Sequence, residues 1–166
     1  RVLDAGASTG GFTDCALQHG ASLVYAVDVG SDQMDVKLKE DKRVKSLENK
    51  DVRDLTLDEI DGKHVDILLA DLSFISLYKV LPVFNKLLKP GGRLVALVKP
   101  QFEQTEKHRT KGGIVKNERL RDEALERVTE SLGMNGFKFL NSCPTDADGK
   151  TKNIEYLVLA ELAGSS

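Results

Sequence analysis

Cysteine and histidine are scarce, with two of the first and three of the second in 166 residues. Cys15 and Cys143 show no C-x-x-C spacing and have no histidine neighbour, so no zinc set is expected and both read as buried free thiols. The histidines are scattered in the same way. Long apolar runs are missing too: nothing approaches the roughly 18 residues a membrane span requires. The first residues form a strand pattern where a leader would show a basic stretch followed by an apolar one. Low-complexity tracts and tandem repeats are also lacking, which sets aside disordered and solenoid architectures. What remains is a soluble cytoplasmic globule, and 166 residues suffice for one domain with one site.

The net charge of −2 conceals an uneven distribution. Residues 1–85 carry a net −5, residues 86–121 a net +7 and residues 122–166 a net −4. A local excess of seven positive charges attracts a polyanion, but it describes a solvated charged face equally well, so charge alone leaves both readings open.

The order of elements is more definite. Residues 1–5 (RVLDA) are a short apolar strand running straight into Gly6-Ala7-Ser8-Thr9-Gly10-Gly11, after which residues 12–19 read as a helix closed by Gly20. Buried-strand runs follow at 23–29, 44–48, 65–70 and 93–99. Helical patterns lie between them at 33–40 and 76–88, the second stopped by Lys89-Pro90-Gly91-Gly92. An amphipathic helix over 117–132 ends at Gly133, and residues 137–141 and 153–160 supply two last strands joined by a turn-rich link. The charged loop 101–116 is long enough to be either a functional lid or simply mobile. The alternation predicts an α/β, Rossmann-like doubly wound sheet, mostly parallel, with a terminal strand pair. Right-handed crossovers then place the mouth of the site at the carboxyl ends of the first, second, fourth and fifth strands.

Glycines in the turn after Asp4-Ala5 let a ligand approach the backbone closely, and Asp28, at the end of the second strand, can accept from ribose hydroxyls. That pairing fits NAD as well as S-adenosylmethionine. Charge separates the two. A dinucleotide brings a diphosphate to the helix N-terminus, whereas here Asp4 precedes the turn and Asp14 lies in the first helical turn. Those carboxylates repel a diphosphate and favour the sulfonium and ammonium of S-adenosylmethionine, although Asp14 is also an ordinary favourable charge at a helix start. The residues expected at the cofactor are Asp4, Gly6, Ala7, Ser8, Gly10, Gly11 and Phe12 around the turn, with Asp28 and Val29 beyond the second strand. Asp71 joins them at the end of the fourth strand. Past the third strand, Asp51 can accept from an adenine amino group beside apolar Val52, or be a plain loop acid.

Six stretches together are specific: residues 3–14 (LDAGASTGGFTD), 25–30 (YAVDVG), 71–76 (DLSFIS), 98–103 (VKPQFE), Lys111-Gly112-Gly113 and 153–156 (NIEY). They resemble the TlyA haemolysin-like branch of the FtsJ-type RNA methyltransferases over essentially the whole chain. The resemblance implies a class I methyltransferase fold, S-adenosyl-L-methionine as cofactor, RNA as partner and methylation of a ribose 2′-hydroxyl, on cytidines of ribosomal RNA in the best-known members. It implies a Lys-Asp-Lys-Glu tetrad as well, whose aspartate, second lysine and glutamate fall on Asp71, Lys99 and Glu155. The tetrad's first lysine and the family's S4-like RNA-binding domain fall upstream of Arg1, so the chain reads as an N-terminally truncated methyltransferase domain over 1–166.

A 2′-hydroxyl is a weak nucleophile at neutral pH, so an amine beside it serves as general base or stabilises the developing alkoxide. Lys99 is the candidate. Apolar surroundings disfavour its charged form while Asp71 and Glu155 favour it, and the two effects oppose each other. No metal is required. Aligning oxygen, methyl carbon and sulfur can supply roughly 7–11 kcal/mol of the barrier. Three other readings compete: a nicotinamide-dependent oxidoreductase on the same sheet, a methyltransferase-like RNA-binding module without turnover, and a lytic protein. The last lacks both a membrane span and a strongly basic amphipathic helix.

Overall fold

Short apolar runs buried from both sides build the centre of the molecule. The computed structural model describes residues 1–104 and 113–164; Lys111 and Gly112, with the middle of the expected 101–116 loop, lie outside the described residues. Strands β1 (Val2–Ala5) and β2 (Val24–Val27) are buried along their whole length. Their side chains alternate between two cores, as strand geometry requires. Leu3, Ala5, Tyr25 and Val27 join the larger one, and Val2, Val24 and Ala26 the smaller.

The sheet is completed by β3 (Val44–Leu47), β4 (Val65–Ala70), β5 (Leu88–Val98), β6 (Phe137–Pro144) and β7 (Tyr156–Leu162). Its order is β3-β2-β1-β4-β5-β7-β6. The first five strands pair in parallel, and β7 runs antiparallel to both β5 and β6. This is the mostly parallel seven-stranded sheet the sequence predicts. Helix α1 (Gly11–Gln18) covers the smaller core through Leu17, beside the short α2 (Val36–Lys39). Helices α3 (Leu81–Leu87) and α5 (Glu118–Met134) cover the larger one through Phe84, Leu87, Val128 and Leu132. Between β5 and α5 lies a single further turn, α4 (Pro100–Glu103).

Several boundaries differ from expectation for identifiable reasons. The helix expected over 76–88 is split into a 3₁₀ turn, Leu77–Lys79, and α3. Pro82 has no N–H to give and is tolerated only in a first turn, so the helix restarts at Leu81. The Lys89-Pro90-Gly91-Gly92 stop lies within the bounds of β5 as an irregularity: Val65 pairs with Leu88 but Ile67 with Arg93. Pro100 opens α4 inside what reads as loop. Both cysteines are exposed, Cys15 on the outer side of α1 and Cys143 on the edge strand β6, which corrects the expectation of buried thiols. Among the described residues no helix is long and apolar enough to cross a membrane.

Candidate active site

Each of four parallel strands ends immediately before a residue the sequence singles out. Ala5 is followed by Gly6, Val27 by Asp28, Ala70 by Asp71 and Val98 by Lys99. All four line one cavity of about 470 Å³ at the carboxyl edge of the sheet.

The turn after β1 is pressed against the exit of β4. Gly6 has φ of +78°, and a Cβ there would lie 2.1 Å from the Asp71 carbonyl oxygen, so only glycine fits. Ser8 follows at φ 51°, a left-handed conformation that costs an L-residue about 1–2 kcal/mol. Asp28 helps hold it there. Its Oδ2 accepts from the Ser8 N–H at 2.7 Å and its Oδ1 from the Gly30 N–H at 2.8 Å, which ties the turn to the end of β2. Gly10, at φ +104°, has a packing reason of its own, since a Cβ would come 2.4 Å from Cδ1 of Leu38.

Asp4 lies under the turn and is 1% exposed. Its Oδ2 accepts from Thr13 Oγ1 at 2.7 Å, while Oδ1 is buried with no partner among the described residues. Burial pushes its carboxyl up to about 6, helped by the charges of Asp71 and Asp28 and opposed by the Thr13 hydroxyl. The charges of Asp71 and Asp28 thus disfavour the ionised form of Asp4, and a cation near this end of the sheet offsets that.

At the other end of the cavity, buried Lys99 places Nζ 2.5 Å from Asp71 Oδ1 and donates to Ser73 Oγ at 3.1 Å. Glu155 is joined instead to Gln101, whose Nε2 donates to Glu155 Oε2 at 2.9 Å. The antiparallel register that pairs Val98 with Tyr156 nevertheless sets Glu155 one step beyond, level with Lys99. Asp51 lies on the cavity wall with Val52, and its carboxylate is gripped by the Arg53 guanidinium at 2.6 Å, which holds it below the usual carboxylate range. Of the expected cofactor residues, Gly6, Ser8, Asp28, Val29, Asp51, Val52 and Asp71 line the cavity. Asp4, in β1, and Ala7, Gly10, Gly11 and Phe12, in the turn and the start of α1, lie off that wall.

Comparison with known proteins now bears on this geometry. A sequence model of the family described as FtsJ-like methyltransferase matches residues 1–162. The chain belongs to the FtsJ-like methyltransferase family. It is 41% identical to Hemolysin A of Brachyspira hyodysenteriae over 155 residues, 93% of this chain and 65% of that protein. It is 40% identical to the 16S/23S rRNA (cytidine-2′-O)-methyltransferase TlyA of Mycobacterium tuberculosis over 158 residues, 95% of this chain and 59% of that one. A solved structure described as a hemolysin from Streptococcus thermophilus superposes with a TM-score of 0.93 at 41% identity, covering 99% of this chain and 59% of the other. The chain thus spans about three fifths of the length of these relatives.

For an FtsJ-like methyltransferase the sequence leaves several side chains at this site without a role. Ser73, Phe74, Gln101 and Glu103 all lie in recognisable motifs, but nothing in the motif says what each touches. Ser73 holds Lys99 and Gln101 holds Glu155. Phe74 is 89% exposed at φ 63°, an unusual backbone state for a bulky residue, and its ring meets that of Phe102 at a tilt of 52° with centroids 5.0 Å apart. Glu103 is buried and accepts from the Ser76 hydroxyl and from the Leu77 N–H at 2.7 Å. A signal existed only for Arg53, whose position two residues after Asp51 allows the local ion pair.

Proposed function

We propose that this chain is the catalytic domain of an S-adenosylmethionine-dependent methyltransferase acting on a ribose 2′-hydroxyl of ribosomal RNA, with cytidine as the target nucleoside. The observation that carries this reading is the ion pair of Lys99 with Asp71, in one cavity with Gly6 and Asp28. The substrate class follows the printed activity of the mycobacterial relative.

The residues present fit the cofactor. The unpartnered Oδ1 of Asp4, whose carboxyl is raised in part by the charges of Asp71 and Asp28, suits a ligand with positive charge and disfavours a diphosphate. Each oxygen of Asp28 gives one acceptor site to a backbone N–H and keeps another for ribose hydroxyls. Val52, beside Asp51 on the wall, offers an apolar surface to an adenine ring. When bound, S-adenosylmethionine supplies an electrophilic methyl group on a cationic sulfur that departs as a neutral thioether.

The protein's own contribution is to position and to handle charge. Lys99 Nζ would meet the 2′-oxygen as negative charge develops on it while the hydroxyl proton passes to solvent, and Asp71 with Ser73 fixes where that amine stands. Glu155, just before β7, is joined to Gln101 of α4, two residues beyond Lys99. A buried amine held by two partners gives up little orientational freedom during reaction.

Tritiated methyl transfer to ribosomal subunits tests the reading. Label should appear on ribose, making one internucleotide linkage resistant to alkali. Lys99→Ala should abolish transfer while S-adenosylmethionine affinity stays within a few-fold, and Asp28→Ala should weaken cofactor binding at least tenfold. Label found on a base, or a chain that takes up NAD and ignores S-adenosylmethionine, would refute it.

A further inference from the structure

We propose that a second groove, opening beyond Phe74, binds the bases of single-stranded RNA flanking the ribose to be methylated. The inference rests on the methylation reading and extends it. The groove encloses about 790 Å³ against α5 and shares Phe74 and Ile75 with the cavity that contains Lys99. Gly6 and Asp28 occupy the cofactor portion of that cavity, while Phe74 belongs to both spaces. An acceptor strand that brings one ribose to Lys99 must lead its neighbouring nucleotides away from the cofactor, and the groove is continuous with that exit.

The lining has the chemistry such a strand needs. Phe74 is 89% exposed, Met134 86% and Tyr78 57%, and all three face this one groove. Single exposed apolar side chains are ordinary on a protein surface, but three on one concave wall call for an occupant. Cations are interleaved with them. Lys79 Nζ sits 5.9 Å from the centre of the Tyr78 ring, and Arg127 stands on the α5 side. Two acids share the lining, and one of them, Glu103, is turned inward onto Ser76 and Leu77, leaving exposed Glu130. Flat apolar faces beside positive charge bind stacked bases and their phosphates with little sequence preference, because every base has a π face. The groove therefore supplies affinity and direction, and base identity is read elsewhere.

Fluorescein-labelled oligocytidylates and oligouridylates of one, three and six nucleotides serve as probes, with anisotropy as the readout on the whole chain. Affinity should rise with length and be alike for the two bases. Tyr78→Ala should lower hexamer affinity about tenfold, and Met134→Glu should do the same, each with S-adenosylmethionine affinity within twofold and an unchanged melting temperature. Both sites are exposed, so the two substitutions check each other against misfolding. Hexamer binding within twofold of wild type in both variants overturns the proposal. So does a groove whose variants change sedimentation and leave RNA binding alone, which would make the occupant a second copy of the chain. Methyl transfer by the wild-type chain separates the two ideas: transfer with no effect of these variants keeps the reading and removes the groove, and a Tyr78-dependent hexamer without transfer does the reverse.

Discussion

Asp4 carries a conflict between stability and function. Its carboxyl is pushed up to about 6 by burial, against an ordinary 3.8. Below the lower value it is neutral in both folded and unfolded chains and costs nothing. As pH rises from about 4 to 6 the unfolded chain releases the proton and the folded chain keeps it, so stability falls through that window and levels off above it. The difference of about two pKa units corresponds to about 3 kcal/mol at neutral pH. Asp4→Asn keeps an acceptor for Thr13 Oγ1 and removes the charge. Thermal unfolding should therefore show the variant more stable than wild type at pH 7.5 and equal to it at pH 4, while cofactor affinity at pH 7.5 drops. Equal melting curves at both pH values would mean that Asp4 is not held neutral by its surroundings. Such a residue, destabilising where it stands, is the pattern expected of a group kept for ligand binding.

At the scale of elements, two segments leaving neighbouring strands are joined in three places. Lys99 meets Asp71 and Ser73, the Phe102 ring packs at a tilt against Phe74, and Glu103 accepts from Ser76 and Leu77. Glu103 lies four residues beyond Lys99, and we expect its joint to fix where that segment, and with it the Lys99 amine, stands. Glu103→Ala leaves a buried hydroxyl and a buried N–H without an acceptor, costing roughly 1–3 kcal/mol of stability. It should lower kcat about tenfold with little change in cofactor affinity, and Glu103→Gln, which retains an acceptor for Leu77, should recover most of the loss. Parallel losses of kcat and cofactor binding without that recovery would reduce Glu103 to ordinary core. The sequence could not announce this joint. The succession of strands and helices along the chain was legible because period and punctuation are local: apolar runs, Gly6 after β1, and Gly133 near the end of α5. Pairing a glutamate with a serine 27 positions earlier depends on where β4 and β5 end relative to each other, and that register is settled only when the sheet assembles. For the same reason motif positions singled out Asp71, Lys99 and Glu155 without saying what each touches: Lys99 meets Asp71, while Glu155 meets Gln101.

Over the whole molecule, charge opposes a purely electrostatic account of RNA binding. The net charge is −2, and the basic middle of the chain is offset by acidic flanks. Of the cations bordering the two cavities, Lys99 is paired with Asp71, Lys50 with Glu59 and Arg53 with Asp51, so none of the three can meet a phosphate without first losing a partner. Lys79 and Arg127 form no ion pair among the described residues, and they stand beside the exposed aromatic and thioether side chains. Each phosphate neutralised on a single strand contributes about −0.7 to the slope of log affinity against log salt. Two such contacts give a slope of about −1.4, and all five cations would give about −3.5. Binding of the oligocytidylate hexamer between 50 and 300 mM potassium chloride should follow the shallow line, with Lys79→Ala flattening it by roughly 0.7 and Lys50→Ala leaving it unchanged. The steep line, or a response to Lys50 in place of Lys79, would move the strand to the cofactor side of the cavity, where phosphates would face Asp28 and Asp51.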